Sequence, residues 1–223
     1  MRHTTFGDSI MHRRSFVGAG ATLALTQMAG FVSPARADAA LMARIMAPGP
    51  LPEKAFGSVD APVTIVEYAS ITCHFCMKFH SETWPGLKEK YVDTGQVRFM
   101  MREFPLDPLA TAGFMLARCA GDEKWYPVLD LLYRTKETWG HAQNPADALL
   151  QTLRQAGFTQ DSFDACLRND KLFKDVRQVA ERGSRDFGVN STPTFFINGE
   201  KRTGALTLAQ FDAILEPMLA AKR

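Results

Sequence analysis

The run Val63-Thr64-Ile65-Val66-Glu67-Tyr68-Ala69, with Cys73-His74-Phe75-Cys76 close behind it, constrains this chain more than any other feature. The run is β-branched, mostly apolar and of strand length. It is continuous rather than alternating, the pattern of a strand covered on both faces. Glu67 is the odd residue in it. Ser70-Ile71-Thr72 leads into a helix predicted from about Cys73 to Tyr91, with Thr72 as its N-cap. Pro85-Gly86 predicts a kink or break within it. Val97 to Phe104 reads as a second strand, closed by Pro105. Strand, helix, strand in that order is a parallel βαβ unit, so the chain belongs to the α/β class.

The rest of the chain divides around that unit. Asp38–Met46 is a short amphipathic helix, stopped by Pro48, Pro50 and Pro52, which form a stiff extended linker. From Pro108 to about Gly188 the pattern is helical throughout, with helices predicted at Leu109–Gly121, Trp125–Trp139, Ala146–Ala156, Asp161–Arg168 and Leu172–Phe187. Thr194-Phe195-Phe196-Ile197 is a strand, Asn198-Gly199 the dipeptide of a type I′ hairpin turn, and Lys201-Arg202-Thr203 the return strand. Leu206–Leu219 closes the chain as a helix. A long helical stretch between strands of one sheet implies an inserted all-helical subdomain. The expected organisation is a leader over 1–37, a short helix and Pro-rich linker over 38–54, a sheet domain over 55–107 and 189–223, and the helical insertion over 108–188.

The leader carries Arg2, Arg13, Arg14 and Arg36 against one acid, Asp8. A weakly apolar run from Ser15 to Val32 follows the arginine pair, and Pro34-Ala35-Arg36-Ala37 spaces small residues as a signal peptidase requires. We place the cut after Ala37. Arg13-Arg14 before Ser15-Phe16-Val17 resembles a twin-arginine export signal. A membrane anchor is the alternative, but the run is diluted with Gly, Thr and Gln, whereas a span needs ~20 mostly apolar residues. The formal charge of +2 belongs to this leader; without it the chain is near neutral, with no cationic field for nucleic acid. Export to the periplasm would carry all four cysteines into a compartment where disulfides persist.

Cysteines at i and i+3 on a first helical turn put their sulfurs on one face, within bridging distance. There the unsatisfied backbone N–H groups and the helix dipole favour a negative charge. The thiolate is the reactive form, so Cys73 is the expected attacking thiol and the deeper Cys76 the resolving one. A stabilised thiolate is also a good leaving group, which favours donation of the disulfide. Two other readings of Cys-x-x-Cys remain: a structural disulfide, or a metal site with His80 one turn further on. His80 is otherwise read as an ordinary polar residue on the helix side. Pairing Cys73 with Cys76 leaves Cys119 with Cys166, a staple within the insertion; two free buried thiols are the alternative.

Val66 to Cys76, and Val189-Asn190-Ser191-Thr192-Pro193-Thr194-Phe195-Phe196-Ile197-Asn198-Gly199, resemble the two signature segments of the DsbA family. These are periplasmic disulfide oxidoreductases with a thioredoxin-like fold and an inserted helical domain. The resemblance spans about residues 55–220. It implies that Cys73 is the nucleophile, Cys76 the resolving cysteine, Pro193 a cis-proline against the active site and Glu67 the buried acid beneath the disulfide. Burial should raise the pKa of Glu67, and the acid could then move a proton to or from Cys76. Thr192 would pair with an extended substrate and hydrogen-bond near Cys73. The family usually carries His before the second cysteine; here Phe75 stands there and His74 precedes it. A protonated His74 would favour the Cys73 thiolate by proximity.

The resulting expectation is a protein dithiol oxidase that needs no metal or organic cofactor. Its substrates would be newly exported or unfolded proteins with free thiols, and a quinone-linked membrane partner would re-oxidise it. A disulfide isomerase or reductase on the same fold is the alternative enzyme, since Thr before the proline is shared by isomerase relatives. A non-enzymatic thiol metal carrier is the alternative outside catalysis.

Overall fold

The computed structural model describes residues 34–221. The arginine pair and apolar run of the expected leader lie outside them. The first described helix, α1 (Pro34–Met46), begins before the expected Asp38 and runs through the proposed cleavage point. After the Pro-rich linker comes a short strand, β1 (Lys54–Phe56), that the sequence pattern did not reveal. Then follow β2 (Val63–Ala69), a long helix α2 over residues 74–92, and β3 (Val97–Glu103).

The insertion supplies α3 (Pro108–Cys119), α4 (Asp122–Arg134), α5 (Lys136–Trp139), α6 (Pro145–Leu153), α7 (Gln160–Leu167) and α8 (Asp170–Phe187). The chain ends with β4 (Thr194–Ile197), β5 (Glu200–Thr203) and α9 (Leu208–Ala220). Local chemistry sets several of these starts. Asp107 accepts a 2.7 Å hydrogen bond from the Ala110 N–H at the head of α3. Thr159 with Ser162 and Thr207 with Gln210 form reciprocal caps on α7 and α9. Between β4 and β5, Asn198 and Gly199 both take positive φ, 48° and 100°, as a type I′ turn requires.

The five strands form one sheet in the order β1-β3-β2-β4-β5. β2 and β3 run parallel; the other pairs are antiparallel. Alternation along β2 sends Val63, Ile65 and Ala69 to one face and Val66 and Tyr68 to the other. The second face packs on Ile45 of α1 and Val179 and Phe187 of α8. The first is buried against α2, α9 and the insertion in one continuous apolar cluster that includes Phe79, Phe211, Leu116 and Leu132. The insertion therefore has no core of its own; it shares that of the sheet. Close approach of α8 depends on Gly183, where a Cβ would stand 2.7 Å from the Tyr68 ring.

Helix α2 does not end at Pro85-Gly86. It passes through in alternating form: His74–Lys78 and Trp84–Leu87 are α, while Phe79–Thr83 and Lys88–Val92 are π. Pro85 has no N–H to return to the carbonyl a turn earlier, and the widened turns absorb the mismatch without a break. Cys119 at the end of α3 and Cys166 in α7 are joined by a disulfide. It ties the two ends of a 47-residue separation within the insertion.

Candidate active site

Three segments meet at the C-terminal end of β2. The strand ends at Ala69, and the turn Ser70–Thr72 carries the chain to the head of α2. The N-cap of α2 is Cys73 itself, with extended backbone (φ −77°, ψ 122°), rather than the expected Thr72. Thr72 turns instead to Ser70, hydroxyl to hydroxyl at 3.1 Å, and the Cys73 N–H donates to the Ser70 carbonyl at 3.2 Å. The local turn thus takes the side chain that would have capped the helix, and no side chain caps it.

This placement leaves Cys73 half-buried over the open end of the helix and Cys76 fully buried one turn in. Both are free thiols. A hydrogen bond from the Cys76 thiol is the main reason that the Cys73 pKa is lowered, to about 5; partial burial opposes it. The Thr192 side chain and the backbone N–H groups of Cys76 and Phe75 add to the lowering. Cys76 is pushed the other way, well above 9, first by desolvation and then by its bond to Cys73 and the charge of Glu67. The Ser70 N–H also reaches its sulfur, at a long 3.5 Å.

The third segment is the loop before β4. The Thr192–Pro193 peptide bond is cis, as the sequence resemblance implied. The Cys73 thiol donates to the Thr192 carbonyl at 3.2 Å, a bond that belongs to the protonated sulfur. The Thr192 hydroxyl is buried and has no partner of ordinary hydrogen-bond geometry among the described residues, so it remains able to donate to a thiolate. His74 is exposed and sits edge-on to Phe75 at 5.8 Å. The groups that depress the Cys73 pKa are Cys76, Thr192 and the backbone; His74 is not among the principal ones. Phe75 and Leu106 stand out as exposed apolar side chains, 57% and 54% accessible, flanking this end of the fold.

Beneath the cysteines lies a buried polar cluster. Glu67 points to the same face of β2 as Ile65 and Ala69 and is fully buried. Its Oε2 is 3.0 Å from Nε2 of His80, which is itself buried. His80 Nδ1 is 3.1 Å from the Tyr126 hydroxyl of α4, and its ring stacks on Tyr133 at 4.7 Å with 13° between planes. Glu67 Oε1 and the Tyr133 hydroxyl have no partner among the described residues. Burial holds the phenols of Tyr126 and Tyr133 above their ordinary range.

His80 is the residue whose importance the sequence reading missed. Its position four residues after Cys76 on one helix was the available signal, because it places the imidazole on the buried face. With both ring nitrogens engaged, His80 has no lone pair turned toward the sulfurs. No group of three His, Cys, Asp or Glu among the described residues is arranged to hold a metal ion.

Comparison with known proteins fits this geometry. A family profile described as thioredoxin matches residues 51–217. A putative protein-disulfide oxidoreductase of Rickettsia bellii is 29% identical over 144 residues, which cover 64% of this chain and 56% of that protein. A second such protein, from Rickettsia typhi, is 27% identical over 64% of this chain and 53% of its own length. The chain thus spans about half the length of the curated relatives that it matches. Among solved structures, alpha-DsbA1 of Wolbachia pipientis superposes with a TM-score of 0.72 at 27% identity, covering 80% of this chain and 96% of that one. DsbA of Chlamydia trachomatis shares the fold at 16% identity, with a TM-score of 0.67 over 78% of this chain and 96% of that one. The parallel β2–β3 pair, the Cys-x-x-Cys at the head of α2, the cis-proline before β4 and the helices inserted ahead of it are one arrangement, and the chain belongs to the thioredoxin family as a DsbA-like member.

Proposed function

We propose that this protein is a thiol–disulfide oxidoreductase that donates the Cys73–Cys76 disulfide to exported polypeptides in the periplasm. The asymmetry between the two sulfurs carries the reading: Cys73 is held as a thiolate near pH 5 and above, while Cys76 stays protonated well into the alkaline range. A substrate thiolate attacks Cys73 of the oxidised pair, and Cys76 leaves. A second substrate thiol then resolves the mixed disulfide and releases Cys73 as a stable thiolate. That stability favours the forward direction, because a low-pKa thiol leaves readily and is a weak nucleophile in return.

The surroundings suit polypeptide substrates. Phe75 and Leu106 offer apolar contact for an unfolded chain. Once Cys73 has lost its proton, the Thr192 carbonyl is free to accept from a substrate backbone N–H. No organic cofactor or metal is needed for this chemistry, and turnover would require a membrane quinone-linked partner to restore the disulfide. The leader, cleaved after Ala37, would deliver the chain by the twin-arginine route. The catalytic set is Cys73, Cys76, Thr192, Pro193 and Glu67, with His74 as an exposed neighbour.

Equilibration of the Cys73–Cys76 pair with glutathione, alongside oxidation of a reduced dithiol peptide, tests the proposal. A pair more oxidising than glutathione, and stoichiometric formation of peptide disulfide, are the expected results. A pair as reducing as a cytosolic reductant would replace the donor reading with a reductase.

A further inference from the structure

Cleaving the Cys73–Cys76 bond leaves an electron pair on a sulfur that water does not reach. Cys76 has no accessible surface. A thiolate there is costly unless a proton arrives. Glu67 alone does not solve the problem, because it is equally buried and must itself be recharged from solvent.

We propose that His80 and Tyr126 extend Glu67 into a proton path linking Cys76 to the protein surface. Its outer links are the Glu67–His80 and His80–Tyr126 contacts, and its inner end is the buried carboxyl whose charge acts on the Cys76 sulfur. Glu67 Oε2 is 3.0 Å from His80 Nε2, and His80 Nδ1 is 3.1 Å from the Tyr126 hydroxyl. Glu67 and His80 are closed off, whereas Tyr126 is only partly buried, so the chain runs from the interior outward. Glu67 Oε1, the carboxyl oxygen without a partner among the described residues, is the one left for the sulfur. Imidazole suits the middle position, because it can take a proton at one nitrogen while giving one from the other. Stacking on Tyr133 fixes its ring in the required plane.

A substrate thiolate forms a bond to Cys73 Sγ, the Cys73–Cys76 bond breaks, and the electron pair leaves on Cys76 Sγ. Once the Glu67 carboxyl carries a proton, it gives that proton from Oε1 to Cys76. In the same shift, His80 gives its Nε2 proton to Oε2, and the Tyr126 hydroxyl gives its own to Nδ1. Tyr126 recovers a proton from water. One proton has moved from solvent to sulfur, and nothing is oxidised or reduced beyond the exchange itself. The reverse shift removes the proton when Cys76 attacks. The inference rests on thiol–disulfide exchange at this pair but not on its direction.

In this scheme His80 and Tyr126 are positioning residues that act through Glu67. The titratable and charged groups around the path are Cys73 and Cys76 on α2, Glu67 on β2, and Tyr126, Asp130, Tyr133 and Arg134 on α4. The test is single-turnover reduction of the full chain's disulfide by dithiothreitol, followed by quenching and thiol alkylation, from about pH 5 to about pH 9. His80→Gln can still bridge Glu67 and Tyr126 by hydrogen bonds but cannot pass a proton between its amide atoms. Tyr126→Phe keeps the ring and cuts the outer link. Both should slow the reaction about 10- to 100-fold and flatten its pH profile, with the Cys73 thiolate titration and the glutathione equilibrium unchanged. Wild-type rates across the range in either variant overturn the path. Recovery of the rate in His80→Gln but not in His80→Phe would reduce His80 to a structural pin, which also overturns it. If His80→Gln does not fold, Tyr126→Phe decides alone. A wild-type chain that exchanges with dithiothreitol yet leaves a dithiol peptide reduced refutes the donor reading and not the path.

Discussion

Nε2 of His80 stands 3.0 Å from Oε2 of Glu67, with both side chains sealed from solvent between β2, α2 and α4. A carboxyl in an apolar strand is costly without a partner. The imidazole one turn past Cys76 supplies that partner, so the strand and the helix that carries the cysteines are locked by the groups that surround the buried sulfur.

Replacing Glu67 with Leu strands the His80 ring nitrogen in a dry interior and should cost about 1–3 kcal/mol. Glu67→Gln keeps one hydrogen bond and should cost less. Glu67→Gln also removes a negative charge that raises the Cys76 pKa, so that pKa should fall. Chemical denaturation measures the first effect, and alkylation rate against pH in a Cys73→Ala background measures the second. An unchanged Cys76 profile would show that the carboxylate does not act on the sulfur.

The thiolate couples stability to pH and redox state. In the fold Cys73 ionises at about 5 rather than at its ordinary 9. Its contribution to the reduced protein is therefore complete above about pH 9, declines as the pH falls from 9 toward 5, and is gone below 5. At pH 7 it amounts to at most about 3 kcal/mol, less whatever solvent screening removes at a half-buried sulfur. The disulfide form lacks this stabilisation, so the pair should be up to about 60 mV more oxidising at pH 7 than one with an ordinary thiol. Thiolate absorbance and melting of both redox forms from about pH 4 to about pH 9 test this. If the reduced form is not the more stable at neutral pH, the assigned electrostatics are wrong.

The Cys119–Cys166 disulfide closes a 47-residue separation. Chain-entropy arguments give about 4 kcal/mol for a loop of that size. Cys119→Ala with Cys166→Ala should lower Tm by about 10 °C, while the Cys73 titration stays as it was. A double variant that melts with the parent would mean that the bridge contributes nothing to the fold.

Gly183 marks where α8 touches the sheet. A Cβ there would lie 2.7 Å from Tyr68 Cε1, and the ring cannot easily turn, because Arg102 donates to its hydroxyl at 2.9 Å. Overpacking costs about 1–3 kcal/mol, and better helix propensity returns about 1. Gly183→Ala should thus be neutral to destabilising by about 2 kcal/mol, and Tyr68→Leu in the same chain should relieve it. A clear gain in stability from Gly183→Ala alone would show that the contact is not tight.

Much of this site was legible in the sequence because its signals are local. Cys73 and Cys76 follow a strand and open a helix, Glu67 interrupts an apolar run, and Thr192-Pro193 precedes a strand. What escaped depends on pairing across the fold. β1 is three residues long and exists through its register with β3, Lys54 against Met101 and Phe56 against Phe99, so no periodicity announces it. The N-cap moved from Thr72 to Cys73 because the Ser70 hydroxyl competes for the Thr72 side chain. His80 looked like any polar residue until Tyr126 and Tyr133 arrived from the insertion. The π turns around Pro85 follow from how the helix repairs a lost bond, which composition does not encode.

The common core of sheet and insertion has an architectural consequence. Helix α4 roofs the chamber under the sulfurs, and Tyr126 and Tyr133 are its tiles. Trimming the helices away to leave a minimal sheet would flood that chamber, hydrate the acid and the imidazole, and erase the contrast between the two cysteines. In this chain the block of helices is thus part of the reagent, and chemistry and architecture cannot be dissected from each other.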